Sequence, residues 1–210
     1  MRYNIIKSIY SLIIPYVTSK DVLDPRPDSE TIIEAVLRQF SDKTKPYRIL
    51  DIGTGSGCLL ASLLLEYPNA QGVGIDKSEK ALKVAEQNLK SYSAHLLQAD
   101  FMQDGWEKNI GKFDIIVSNP PYIAYGDERI DDGAKHDPKM ALYAHENGLF
   151  AYRMIAKNAC AWLQPMGRIY LEIGDGQTNA VCKIFQNAGW KCVDIQSDLA
   201  GVERVLVFTI

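Results

Sequence analysis

Asp51-Ile52-Gly53-Thr54-Gly55-Ser56-Gly57 follows the short apolar run Arg48 to Ile52 and opens a helical pattern that continues to Tyr67. A strand that runs into a glycine-rich turn and then a helix is where open α/β sheets bind ligands. Glycines let the backbone turn sharply and approach a bound group with no Cβ atom in the way. The spacing is G-x-G-x-G. The dinucleotide fingerprint G-x-G-x-x-G is not met, because its third glycine would fall on Cys58 or Leu60, and no Gly-Lys-Ser/Thr follows to make a P-loop.

Working outward from this turn, strand and helix patterns alternate. Ile32, Ile33, Val36, Leu37 and Phe40 recur at helical spacing, with Asp28 and Ser29 as candidate N-caps. Residues 70–75 read as a strand. Glu79 to Leu89 reads as a helix capped by Ser78, with Ala81, Leu82, Ala85 and Leu89 on one face. His95 to Gln98 and Phe113 to Ser118 are further strands. The stretch from Ala124 to Ala144 is polar and irregular, too long for a plain connector. A helix over 149–163, a strand over 168–173, a helix over 177–188 and strands over 190–195 and 204–209 complete the pattern. The alternation predicts a parallel sheet with helices on both faces. The last two strands lie too close for a helical crossover and should pair antiparallel. The expected fold is α/β and Rossmann-like, a mostly parallel seven-stranded sheet with an antiparallel C-terminal strand. Residues 1–22 are expected to form an N-terminal arm and 23–210 one catalytic domain.

Composition narrows the function classes. The 210 residues are 47% apolar and 23% charged, an ordinary soluble balance. No segment supplies the roughly 20 apolar residues of a membrane span. Lys7 and Pro15 interrupt the apolar stretch from Tyr3 to Val17, and no small-residue cleavage site follows it. The net charge is −3 with no long basic run, which argues against a broad nucleic-acid footprint. Cys58, Cys160, Cys182 and Cys192 have neither zinc nor disulfide-framework spacing. They are expected to fill the core of a protein in a reducing compartment, the cytoplasm. His95, His136 and His145 show no metal-ligand pattern, and no metal is expected.

Carboxylates end the strands that follow the glycine turn. Asp51, which opens the turn, suits a cofactor with a cationic head rather than a pyrophosphate. Asp76 ends the second strand, 19 residues past Gly57, where a carboxylate accepts from both hydroxyls of a ribose. Asp100 ends the third, and Phe101 beside it offers a stacking face, a pair suited to adenine. Each feature alone is weak, since a strand-end Asp is most often a helix cap. In this order at successive strand ends they point to S-adenosylmethionine, ahead of a nicotinamide cofactor or a non-catalytic domain of similar fold.

Ser118-Asn119-Pro120-Pro121-Tyr122 follows the fourth strand. Two prolines fix φ and remove two donors, so the carbonyls of this turn are held rigid. Asn119 adds a side-chain oxygen, and Tyr122 a flat face. Two converging acceptors suit an NH2 group. An amide or aryl amine is a poor nucleophile because its lone pair is delocalised. Acceptors that hold it in line with a sulfonium methyl group and stabilise the charge it develops answer that difficulty.

These residues resemble the peptide chain release factor glutamine methyltransferases, the HemK/PrmC family. Asp24-Pro25-Arg26-Pro27-Asp28-Ser29-Glu30 is similar to the family's Ile-Pro-Arg-Pro-Glu-Thr-Glu segment. Asp137-Pro138, Ala141-Leu142, Gly148-Leu149 and Tyr152-Arg153 follow its pattern beyond Asn-Pro-Pro-Tyr. Leu171-Glu172-Ile173-Gly174 and Asp198-Leu199-Ala200-Gly201 with Arg204 match its C-terminal signatures. The resemblance implies a class I methyltransferase using S-adenosylmethionine, held by Gly53, Thr54, Gly55, Ser56, Gly57, Asp76, Phe101 and Asn119, to which the strand-end reading adds Asp51 and Asp100. It implies a glutamine site at Asn119, Pro120, Pro121 and Tyr122, with Arg26 and Pro27 beside it, and a release factor as protein substrate. Phe101 stands where the family usually has Trp, which keeps the stacking face and loses the indole donor. Asp24 replaces a hydrophobic residue and is expected to loosen the lid. Only about 20 residues precede the Arg-Pro segment, too few for the family's helical N-terminal domain. A small partner protein is one way to replace its grip. A glutamine methyltransferase of a ribosomal protein stays open. So does an amino methyltransferase of adenine or guanine, although no target-recognition domain or basic groove shows. A degenerate scaffold is disfavoured by the intact turns.

Overall fold

The computed structural model describes residues 2–7, 13–24, 26, 29–103, 105–126 and 138–210. Asp28, Pro27 and Asp137 lie outside the described residues.

The chain opens with an antiparallel hairpin of β1 (Arg2–Lys7) and β2 (Ile13–Thr18). Helix α1 (Glu30–Gln39) leads into β3 (Arg48–Ile52), α2 (Cys58–Glu66), β4 (Gln71–Asp76), α3 (Glu79–Leu89), β5 (Ala94–Gln98) and β6 (Phe113–Ser118). After two short strands, β7 (Ile123–Ala124) and β8 (Tyr143–Ala144), with α4 (Lys139–Leu142) between them, come α5 (Phe150–Asn158), β9 (Leu163–Glu172) and α6 (Thr178–Asn187). The hairpin β10 (Lys191–Ser197) and β11 (Glu203–Thr209) ends the chain.

Seven strands form the main sheet in the order β10-β11-β9-β6-β3-β4-β5. The pairs β3/β4, β4/β5, β3/β6 and β6/β9 are parallel, whereas β11 runs antiparallel to both β9 and β10. This is the mostly parallel seven-stranded arrangement expected from the alternation, and the class I fold that the resemblance implies. The strand order reverses between β3 and β6. Loops leaving their C-terminal ends diverge there and leave a crevice.

Central strands bury both faces, which is why they read as continuous apolar runs. Leu50 and Ile52 of β3, Ile116 of β6 and Ile169 and Leu171 of β9 face a core completed by Tyr152, Ile155, Val181 and Phe185 from α5 and α6. Ile49, Ile115, Val117 and Tyr170 face the opposite core with Ile32, Val36, Leu60, Leu63, Ala85 and Leu89 from α1 to α3. Each fully buried Leu or Ile contributes about 1.5–3 kcal/mol.

Several expectations need correction. Ser29 occupies the N-cap of α1 but has helical φ and ψ and makes no side-chain cap bond; its hydroxyl is used elsewhere, as described below. The helix expected over 149–163 stops at Asn158. A 3-10 turn, Ala159–Ala161, then drops the chain into β9, which begins at Leu163 rather than 168. Cys160 sits on that turn and is exposed, so it fills no core, whereas Cys58 is buried and Cys182 and Cys192 are half-buried. Within the stretch read as irregular, β7 pairs in parallel with β8, and Tyr125 stacks on Tyr143. Ser78 caps α3 as expected, accepting from the Ala81 amide at 3.2 Å. No described helix is long and apolar enough to cross a membrane.

The turn after β3 is held by its neighbours. The amides of Gly53 and Thr54 both donate to the Ile75 carbonyl at 2.9 Å. Gly53, Gly55 and Gly57 all have positive φ, at 72°, 55° and 76°. A Cβ on Gly57 would lie 2.9 Å from Leu89 Cδ1 and 3.2 Å from the Ala85 backbone, so α2 and α3 pack at a distance only glycine permits. Gly57→Ala is expected to destabilise the protein by about 1–3 kcal/mol, combining left-handed strain with overpacking. Urea denaturation of the two proteins measures it.

Candidate active site

The crevice at the strand ends has two lobes that share Leu23, Gly53, Gly55 and Asn119. The larger, about 800 Å3 including its opening to solvent, lies between the ends of β4 and β5 and the Asn-Pro-Pro turn. It is lined by Asp76, Asp100, Phe101, Pro120 and Pro121, with Val22 and Leu23 crossing from the hairpin side. The smaller, about 630 Å3, lies over the glycine turn and is lined by Asp51, Thr54, Ser56, Arg26, Ser29 and Glu30. The structure thus brings to one crevice nearly every site residue expected from the sequence. Two do not line either lobe: Gly57 packs against α3, and Tyr122 lies just beyond the turn. Pro27 lies outside the described residues, and Arg26 lines the smaller lobe, at the glycine turn.

Asp76 is aimed by its own surroundings. Its Oδ1 accepts from the Ser78 amide at 2.8 Å and its Oδ2 from the Gly55 amide at 3.0 Å. The carboxylate serves helix and loop together, and since each oxygen has two lone pairs, acceptor capacity remains for a ligand. Asp100 Oδ1 accepts from the Met102 amide at 3.0 Å, which orients the carboxylate beside the half-buried Phe101 ring. A Cβ on Gly53 would meet no atom within 4 Å, so the space above that residue is the crevice itself.

Asp51 is buried to 1% exposure. Loss of hydration, and to a lesser degree the nearby Asp76 charge, pushes its carboxyl up to about 7, against a hydrogen bond that the Thr54 hydroxyl donates to Oδ2 at 2.7 Å. Uncompensated burial of a carboxylate is unfavourable, so this floor favours a cationic ligand.

The Asn-Pro-Pro-Tyr turn is braced from below. Ser118 donates its hydroxyl to the Ile52 carbonyl at 2.7 Å, which ties the ends of β6 and β3. Gln177 Nε2 donates to the Tyr122 carbonyl at 3.0 Å, so that carbonyl is a structural acceptor. Gly148, with φ of 83°, passes so close that any Cβ there would overlap the Tyr122 carbonyl oxygen. The Tyr122 hydroxyl points to Glu172 Oε1 at 3.4 Å, and burial together with the Glu172 charge raises the phenol's pKa.

Three contributors were not read from sequence as part of the site, Ser29 having been read only as a helix cap. Glu172, at the end of β9 and 1% exposed, accepts from the Ser29 hydroxyl at 2.7 Å. Ser29 Oγ in turn accepts from Asn119 Nδ2 at 3.2 Å. Asn88 on α3 accepts from the Val17 amide at 2.7 Å and donates to the carbonyls of Val17, 2.9 Å, and Ser56, 2.8 Å, which locks the N-terminal hairpin to the glycine turn. No local pattern marks these residues, because their partners lie 32 to 143 positions away.

The donor set fits S-adenosylmethionine: two carboxylates at strand ends, an aromatic ring beside one of them, and a buried acid at the glycine turn. Comparisons with known proteins agree. The methyltransferase small domain family matches residues 16–135. The bifunctional methyltransferase of Rickettsia felis is 37% identical over 97% of this chain and 44% of its own length. The release factor glutamine methyltransferase of Rhodospirillum rubrum is 40% identical over 89% of this chain and 58% of its own. A crystal structure of the release factor-specific protein-(glutamine-N5) methyltransferase from Alicyclobacillus acidocaldarius superposes with a TM-score of 0.52 at 26% identity, covering 88% of this chain and 92% of that one. The chain therefore spans less than half the length of the Rickettsia relative and somewhat over half of the Rhodospirillum one.

Fold and crevice together define a class I S-adenosylmethionine-dependent methyltransferase domain. Within that class the chain belongs to the methyltransferase small domain family, and its resemblance to the release factor glutamine methyltransferases is borne out.

Asp76→Ala is expected to weaken S-adenosylmethionine binding by about 1.5–3 kcal/mol, the value of hydrogen bonds to a charged acceptor; calorimetric titration reads it, and unchanged affinity removes Asp76 from the site. A second expectation concerns pH. The Asp51 carboxyl is raised in the folded protein, so its contribution to stability is fullest at low pH and declines as pH rises from the unfolded value toward about 7. A cation bound above it favours the ionised form. Affinity should therefore rise by up to about tenfold per pH unit on approach to pH 7 and then level off. Asp51→Asn should flatten that limb of the titration.

Proposed function

We propose that this chain transfers the methyl group of S-adenosylmethionine to the side-chain amide nitrogen of a glutamine in a peptide chain release factor. The observation that carries the reading is the position of Asn119. It lies at the end of β6 on the wall common to both lobes, in a turn whose backbone is fixed by Pro120, Pro121 and the Gln177 bond to Tyr122. Its side chain is thus held where the adenosyl and methionyl ends of a cofactor would meet. Similarity to enzymes named for release factor glutamine methylation supports the choice of substrate.

Bound S-adenosylmethionine supplies a methyl group made electrophilic by its sulfonium. The chain's own residues handle the other partner. Asn119 Oδ1 and a carbonyl of the Pro-Pro turn accept the two protons of the amide NH2 and so direct its nitrogen at the methyl carbon. As the N–C bond forms and the S–C bond breaks, positive charge grows on the nitrogen, and the same acceptors stabilise it. The methylated nitrogen is far more acidic, so one of its protons leaves to water without a strong base. Tyr122 follows Pro121 with its ring set against Gly174, where a Cβ would come within 3.0 Å of Tyr122 Cδ2. A primary amide matches the two acceptors in donor count, whereas a purine amine needs contacts to a flipped nucleotide as well.

Asn119→Ala is expected to reduce turnover by at least about a hundredfold, the usual effect of removing a group that stabilises developing charge. Tandem mass spectrometry of a release factor after reaction should place the added methyl on the glutamine of its Gly-Gly-Gln loop. Methyl on another residue, or labelled RNA or DNA beside an untouched release factor, overturns the substrate.

A further inference from the structure

Ser29 stands where an N-cap belongs and does not cap. Its hydroxyl reaches across 143 positions of sequence to Glu172 Oε2 at 2.7 Å, and the same oxygen receives Asn119 Nδ2 at 3.2 Å. Proton counting sets the direction of this chain of bonds. A serine hydroxyl has a single proton to give, and a carboxylate can only accept. Ser29 therefore donates to Glu172, and its oxygen is left to accept. The group of Asn119 facing it must be the NH2, because a carbonyl oxygen there would confront a lone pair. The Asn119 amide cannot turn over without breaking a bond, and Oδ1 is the atom it presents to the crevice.

We propose that Glu172 and Ser29 are positioning residues that fix the orientation of the Asn119 amide, so that the crevice offers an acceptor and never a donor to the reacting nitrogen. The inference rests on the reading of the site as one for an amide nitrogen. A flipped Asn119 would aim its own NH2 at the substrate NH2 and repel it. The buried position of Glu172, 1% exposed, keeps water from competing for the Ser29 hydroxyl. Tyr122 also directs its hydroxyl at Glu172, at 3.4 Å, so one carboxylate sets both residues at the ends of the Asn-Pro-Pro-Tyr turn. Arg26 and Arg204 act electrostatically on the Tyr122 phenol and so supply positive charge near this acid.

The test uses the full chain with Ser29→Ala, Ser29→Thr and Glu172→Gln. Alanine removes the acceptor for Nδ2, threonine retains it, and glutamine can donate as well as accept, so the direction is no longer enforced. Two readouts are needed. The first is the Asn119 side-chain NH2 pair in a proton–nitrogen correlation spectrum, assigned by its loss in Asn119→Asp. Its resonances and solvent exchange should change in Ser29→Ala and return to the wild-type pattern in Ser29→Thr. The second is steady-state methylation of a release factor. In Ser29→Ala kcat should fall about 10- to 100-fold, the effect of misplacing a positioning group. Cofactor affinity by calorimetry should stay within about threefold, because the loss is in alignment rather than binding. Ser29→Thr should restore kcat, and Glu172→Gln should fall between the two. NH2 resonances unaltered by Ser29→Ala, or altered resonances with undiminished kcat, overturn the proposal. If the NH2 pair responds as described while wild-type protein methylates no glutamine, the orientation device stands and the substrate reading falls.

Discussion

The site depends on one constraint at the end of β3. This strand is hydrogen-bonded to β4 on one side and β6 on the other, and it is buried on both faces. The chain cannot continue in the plane of the sheet past Ile52 and must turn out of it within a few residues. It does so through three left-handed glycines, whose geometry is fixed by the Ile75 carbonyl and the Asp76 carboxylate of the neighbouring strand. The loop is shaped by the register of β3 against β4, in which Ile52 pairs with Ile75. A slip of that register would take both acceptors away from the amides they hold.

Around this turn the domain keeps two carboxyl groups almost wholly out of water, Asp51 below the glycine turn and Glu172 below the Asn-Pro-Pro-Tyr turn. Each receives a short hydroxyl bond, from Thr54 and from Ser29 respectively, both at 2.7 Å. The two acids serve different ends. Asp51 carries unfavourable burial that a cationic ligand would relieve. Glu172 accepts from the neighbouring hydroxyls of Ser29 and Tyr122, which it orders. The fold gives up some local stability for this: α1 begins without the side-chain cap that Ser29 could supply, an interaction worth about 1 kcal/mol elsewhere.

The N-terminal hairpin also takes part. Asn88 binds both backbone groups of Val17 and the Ser56 carbonyl, so β2, α3 and the glycine turn form one braced unit. The chain leaving β2 then passes Val22, buried against Ala81 and Val84, and brings Leu23 to the junction of the two lobes. Residues read from sequence as an arm thus supply part of the crevice wall.

What the sequence determined by itself was everything with a short range along the chain. The alternation of patterns announced the parallel sheet, the G-x-G-x-G turn followed from the need for positive φ, and Asp76, Asp100 and Asn119 were singled out because they lie at or within two residues of strand ends. Both misplaced helix features, the cap at Ser29 and the extent of α5, are cases where local propensity yielded to tertiary contacts. Ser29 gave its hydroxyl to a distant acid, and Trp162, 3% exposed, belongs to the core at the entry to β9 rather than to a helix face. The tertiary structure alone decided which atoms those residues present. Glu172, Ser29 and Asn119 carry no shared spacing, Asn88 meets its partners 71 and 32 positions away, and the weakened acidity of Asp51 follows from its burial rather than from its neighbours in sequence. A periodic pattern encodes the face a side chain lies on. The direction of a hydrogen bond and the loss of water around a carboxylate exist only once remote segments have met.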